Sequence, residues 1–157
     1  MMVTSASEQT VTALEVAKEE AIAAPIDVVF ETLLEELGPG NEAPGSPMPM
    51  VLEPWPGGRW YRDLGNNTGH LWGHVQVIKP PALLEISGPL FMSYPAISHV
   101  QYRLTADGAG TRLKFVHRAI GQITPEHRDG VAQGWTAMLT KIREAAERGS
   151  DASRKRR

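Results

Sequence analysis

The chain has 157 residues, 41% apolar and 22% charged, with a net charge of −2 and no cysteine. That length suits one domain and that composition an ordinary globular one. The missing cysteines exclude disulfides, zinc–thiolate centres and a cysteine nucleophile. Four basic residues, Arg154 to Arg157, crowd the C-terminus; without them 12 basic face 18 acidic residues, a balance of −6. A nucleic-acid-binding body would be basic, so no nucleic-acid partner is expected. No stretch approaches the roughly 20 apolar residues of a membrane helix. The polar start "MMVTSASEQTVT" lacks the pattern of a secretory signal. The expected location is therefore cytoplasmic, with no membrane partner.

Residues 1–10 read as a disordered leader, 11–149 as a single domain and 150–157 as a solvated basic tail. From Thr12, "TALEVAKEEAIAA" alternates in part, with Leu14, Val16 and Ile22 on one face, and predicts a long first strand. Pro25 suits the first position of a helix. In "PIDVVFETLLEEL", Ile26, Val29, Leu33 and Leu37 form one stripe, and Gly38 closes it. Six of the twelve prolines lie between Gly38 and Pro56. They exclude a regular element there, leaving a mobile loop or a short irregular helix with turns. Segments of this kind often serve as lids.

From Met50 to Arg118 strands alternate with turns. "PMVLEP", "GGRWYRDL", "HLWGHVQVI", "ALLEIS", "AISHVQYRLT" and "TRLKFVHRAI" are six predicted strands, and "DGAG" joins the last two as a hairpin. Thr124 caps the final helix and Pro125 opens it. Val131, Trp135, Met138, Leu139, Ile142, Ala145 and Ala146 form its stripe, and Gly149 is its expected end. Consecutive strands joined by tight turns make an antiparallel sheet, and one face of it needs cover. The expected fold is α+β, a curved sheet of six or seven strands around a long C-terminal helix, with a cavity between them.

Four segments in order carry a resemblance: "PIDVVFETL", "PGGRW", "GHVQVIKPPALLEIS", and "GAGTRLKFVH" with "QGWTAMLTKI". The chain resembles the START-like, or SRPBCC, superfamily with the helix-grip fold of the birch-pollen allergen. Within it the chain is most similar to the family named for the activator homologue of the heat-shock chaperone ATPase. The resemblance spans roughly residues 14 to 147. It departs from the family pattern in "VHRAIGQ" after the last hairpin, and at His74 and Gln76 in "GHVQVI". These departures bear on the cavity lining, so no ligand carries over.

Candidate lining residues are Trp60, Trp72, His74, Ser98, Tyr102, Phe115 and His117 on the strands and Trp135 and Met138 on the helix. Alternation puts Leu113, Phe115 and His117 on one face, and Tyr102 on the matching face of the preceding strand. The sidedness of the strands carrying Trp60 and Trp72 is ambiguous. Arg59 reads as a solvated charge or as a partner for an anion, and Trp55 as a residue near the mouth. His70 and His74, four residues apart in a strand, span about 13 Å and make a poor shared zinc site. No metal site or cofactor is expected. The first expected function is binding of a small apolar or amphipathic molecule in the cavity. A cyclase- or hydrolase-type enzyme using His117 or His74 as base is an alternative, and a co-chaperone module is a second. Edge strands of such a sheet can pair, which leaves a homodimer open.

Overall fold

The computed structural model describes residues 2–155, and the side chains of residues 2–150. In chain order the elements are β1 (Thr12–Ile22), α1 (Ile26–Leu37), β2 (Glu42–Ala43), β3 (Ser46–Pro47), β4 (Val51–Leu52), β5 (Arg59–Gly65), β6 (Thr68–Lys79), β7 (Leu83–Gly88), β8 (Ala96–Asp107), β9 (Gly110–Gly121) and α2 (Pro125–Lys155). Seven strands form one antiparallel sheet in the order β1-β9-β8-β7-β6-β5-β4, and β2 pairs with β3 alone.

Alternation sets the inner face of the sheet, because successive side chains of a strand point to opposite sides. On β9, Thr111, Leu113, Phe115, His117 and Ala119 are buried. On β8, Ser98, Val100, Tyr102 and Leu104 are buried opposite them. On the outer face the register places Arg118 of β9 against Glu15 of β1 at 2.9 Å, and Arg112, opposite Ala21, reaches diagonally to Glu19 at 2.6 Å. Such exposed pairs contribute little stability, although they suit this register.

The Pro-rich segment forms neither a helix nor a slack loop. It folds into the β2–β3 hairpin around Pro44-Gly45, with Gly45 at φ 82°. Proline followed by a left-handed glycine fits a type II turn. "EPWPGGR" is a tight turn clasped by a fork: Arg59 donates from Nε and Nη2 to Glu53 at 2.7 and 2.9 Å. That hydrogen-bonded guanidinium holds the Glu53 carboxyl down at about 2.

Both helices follow their stripes. α1 buries Val29, Phe30, Leu33 and Leu37, with Pro25 as its cap residue just outside the first turn. Thr124 caps α2, its Oγ1 accepting from the His127 N–H at 3.3 Å. α2 buries Val131, Trp135, Leu139, Ile142 and Ala146. Gly149 does not end it; the helix continues to Lys155, and Ser150 is buried. A glycine inside a helix costs only about 1 kcal/mol, which neighbouring turns offset. The basic tail's side chains lie outside the described residues.

The backbone of α2 approaches α1 and β1 closely and stands off the central strands. Large side chains cross the interval. The interior expected as a cavity is thus occupied by Trp60, Tyr102, Phe115 and Trp135, each no more than 5% exposed. Between β6 and β7, Gly73 and Gly88 lie in close approach. A Cβ on Gly88 would stand 2.5 Å from the Gly73 Cα, and one on Gly73 would stand 2.8 Å from the Ser87 carbonyl oxygen. Gly134, on the exposed side of α2, has open space around it.

Gly88→Ala should therefore destabilise the protein by about 1–3 kcal/mol through overpacking. Gly134→Ala should stabilise it by about 0.5–1 kcal/mol. Urea unfolding of the two variants beside the parent checks both signs.

Candidate functional site

A directed chain of hydrogen bonds crosses the interior. The Trp135 Nε1–H donates to His117 Nδ1 at 2.9 Å. An indole N–H can only donate, so Nδ1 accepts and the ring proton sits on Nε2. Nε2 lies 3.0 Å from Ser98 Oγ and donates to it. The Ser98 hydroxyl in turn points to Met92 Sδ at 3.9 Å. His117 is fully buried. Burial, with a smaller contribution from the nearby His127, pushes it down to about 4. A protonated His117 would also turn an N–H toward the Trp135 N–H. The imidazole is thus held neutral in one tautomer.

Rings line the same interior in two branches that meet at Phe91. In one, Tyr102 contacts Phe115 with centroids 5.1 Å apart, Phe115 contacts Trp135 at 4.6 Å, and Trp135 contacts Phe91 at 6.0 Å. In the other, Trp60 meets Trp72 edge-on at 5.0 Å and Trp72 meets Phe91 at 5.8 Å. The Trp60 Nε1–H donates to the Leu37 carbonyl at 2.7 Å, which ties the sheet to the end of α1. At the inner end of the first branch, the Tyr102 hydroxyl is buried without a partner. Such a group costs about 1–3 kcal/mol. Burying an aromatic ring removes roughly 150–250 Å² from water, on the order of 4–6 kcal/mol at 25 cal/mol/Å². The ring's burial outweighs the orphaned hydroxyl. Burial also keeps the phenol protonated by raising its pKa.

Phe91 belongs to the β7–β8 connection, "PLFMSYP", between Pro89 and Pro95. Leu90 and Met92 are buried, while Phe91 between them is 37% exposed. The Leu90 N–H donates to the Trp72 carbonyl at 2.8 Å. Leu90 has φ 54°, a left-handed conformation unusual for a branched side chain. Phe91 lies 4.9 Å from the His127 ring, centroid to centroid, and the Tyr94 hydroxyl hydrogen-bonds His127 Nδ1. The loop thus closes the end of the interior against the first turn of α2.

Of the residues singled out in the sequence, Trp60, Ser98, Tyr102, Phe115, His117 and Trp135 are buried on facing surfaces of sheet and helix. Trp72 and Met138 are half-buried at their edge. His74 is elsewhere. It pairs with Arg59 on one side and Ser87 on the other, and is exposed on the outer face. Register shifts at Trp60/Tyr61 and Val75/Val77 break the alternation that would have turned it inward. Trp55 is 53% exposed on the turn. Arg59 is engaged by Glu53 and offers no free charge to an anion. Sequence reasoning missed Phe91, Tyr94 and His127. The available signal was a short loop between two prolines carrying two aromatic residues. A groove of about 620 Å³ runs along the outer face past Gln76, Ile97, His99 and Ile120. Another of about 780 Å³ lies beside Thr12, Ile123 and Arg128. The second opens between the start of β1 and the first turn of α2, and neither is lined by Trp60, Tyr102, Phe115 or Trp135.

A seven-stranded antiparallel sheet gripping a long C-terminal helix defines the helix-grip class, the START-like or SRPBCC superfamily. The family described as "Activator of Hsp90 ATPase homolog 1-like protein" matches residues 23–147, and the chain belongs to that family. Solved structures share the fold at low identity. An uncharacterized protein from Rhizobium leguminosarum is 18% identical, with a TM-score of 0.71 over 90% of this chain and 99% of its own. A protein of unknown function from Staphylococcus aureus is 14% identical, with a TM-score of 0.67 over 90% and 98%. Ara h 8.0201 is 13% identical, with a TM-score of 0.61 over 86% and 98%. Among curated proteins none matches the chain. No helix among the described residues is long and apolar enough to cross a membrane.

The buried His117 makes stability depend on pH. Its folded pKa, about 4, lies below the 6.5 of a free histidine. Between those values the unfolded chain binds a proton that the folded chain refuses, so stability falls as pH drops. The loss should total about 3 kcal/mol, given about 1.4 kcal/mol per unit. Urea unfolding at pH 7, 5.5 and 4.5 should show a clearly shallower decline for His117→Gln than for the parent.

Proposed function

We propose that the protein binds a small apolar or amphipathic molecule between the sheet and α2, and that the molecule enters past Phe91. The observation that carries this reading is the placement of Phe91. A large apolar ring stands 37% exposed on a proline-bounded loop, in contact with Trp72, His117 and Trp135. Swinging it outward exposes apolar ring faces and needs no change in sheet pairing. The helix-grip architecture supports the reading, because α2 stands off the central strands and only side chains fill the interval. Sites of this kind are mostly apolar with a few placed polar groups.

A histidine base has less support. The Nδ1 lone pair of His117 already accepts from Trp135, and His74 stands on the opposite face. A base needs a free lone pair within hydrogen-bond reach of its substrate. The co-chaperone reading rests on the family's description alone.

Titration with the neutral fluorophore N-phenyl-1-naphthylamine tests the proposal. Saturable one-to-one binding, seen also by native mass spectrometry, is expected. Phe91→Ala should raise the association rate several-fold while leaving the circular dichroism unchanged. Absence of saturable binding by folded protein across a panel of neutral aromatics would overturn the reading.

A further inference from the structure

The interior binding site proposed above has an inner end, and its chemistry is narrower than apolarity alone. Polar groups around it are already matched. His117 and Ser98 are engaged with each other and with Trp135 and Met92. The Trp60 N–H is taken by the Leu37 carbonyl, and the Thr111 hydroxyl donates to the Ala24 carbonyl at 2.8 Å. Tyr102 is the exception. Its side chain is 1% exposed, and its hydroxyl has no partner among the described residues. It stands three ring contacts from Phe91, through Phe115 and Trp135. Other buried atoms without a hydrogen bond lie elsewhere: on Thr12 at the start of β1, and on Glu36 and Asn41 around the end of α1, where Lys141 sits 2.8 Å from Glu36.

The inner-face positions of β7, β8 and β9 carry no charged side chain. An ionised group brought there would lose its hydration without gaining a counter-ion. A neutral molecule avoids that penalty, and its oxygen can accept the phenol's idle O–H.

We infer that Tyr102 determines specificity at the inner end of the site, donating its hydroxyl hydrogen to a carbonyl or ether oxygen of an uncharged, largely aromatic ligand. The inference rests on the reading of the interior as a ligand site. The aromatic part of the ligand lies along Phe115 and Trp135, where offset and edge contacts between rings are favourable. The oxygen leads and the apolar end trails toward Phe91.

Three probes of one size separate the contributions: 2-acetylnaphthalene, 2-isopropylnaphthalene and 2-naphthoate. Each is titrated by calorimetry against the full chain and against Tyr102→Phe, which removes one oxygen and keeps the ring. The ketone should bind Tyr102→Phe about five- to tenfold more weakly than the parent, the scale of one neutral hydrogen bond. The hydrocarbon should change less than twofold, and the naphthoate should bind the parent at least tenfold more weakly than the ketone. Free Tyr102→Phe should melt no lower than the parent, since the lost hydroxyl has no partner. A lower melting temperature, an unchanged ketone affinity, or naphthoate binding as tight as the ketone's would overturn the assignment of Tyr102. With the hydrocarbon still bound, those results leave the interior site itself standing. If none of the three binds the folded parent, both proposals fall.

Discussion

The interval between α2 and the middle of the sheet is the constraint on which the rest of this structure depends. Seven strands curve around one helix whose backbone, among the described residues, comes closest to β1 and α1. Aliphatic side chains reach across such a gap poorly, and a void would forfeit dispersion contacts on both walls. Rings span it. Trp60, Tyr102, Phe115 and Trp135 pack together there, and aliphatic residues of α1 and of the later turns of α2 complete the same core. The interior is thus both the core of the domain and its most apolar recess. Removing a ring here would leave a hole that neighbouring backbone cannot follow.

Polar groups inside that recess are permitted only in matched sets. Trp135, His117, Ser98 and Met92 form a line in which each hydrogen has a destination, so the line fixes the rotamers of residues from α2, β9, β8 and the β7–β8 loop together. The same matching removes His117 from acid–base work. A histidine at neutral pH is often read as a candidate catalyst. Here its surroundings make it a neutral spacer with a donor at one end and an acceptor at the other. The loop carrying Phe91 inherits this order through Met92, which anchors it from beneath, while Phe91 itself faces partly outward.

Elements whose periodicity is local were readable from the chain. The stripe of α2 and its Thr124-Pro125 start, the stripe of α1, and the β8–β9 hairpin each follow from spacings within a few residues. The inward placement of Tyr102, Phe115 and His117 follows from simple alternation along two regular strands. Sidedness was lost where alternation was interrupted. Two register shifts in β5 and β6 leave Trp72 at the edge of the interior and put His74 outside. The hairpin inside the Pro-rich segment depends on one Pro-Gly turn that its proline-dense surroundings obscure. Phe91 and His127 are 36 positions apart in the sequence, and only the fold shows that they touch. The end of α2 was misplaced because Gly149 is a weak stop when the following turn packs, as Ser150 does.

Gly73 and Gly88 have a consequence on the timescale of descent. The Gly73 backbone occupies the volume that a side chain on Gly88 would need, the Ser87 carbonyl occupies that of one on Gly73, and the Trp72 carbonyl beside them also holds the loop through Leu90. The two positions therefore form one inherited unit. A side chain gained at either is disfavoured while the other strand keeps its place, and moving that strand would release the loop that bears Phe91. A ring exchanged elsewhere in the interior leaves this constraint untouched, because it lies in the pairing of β6 with β7.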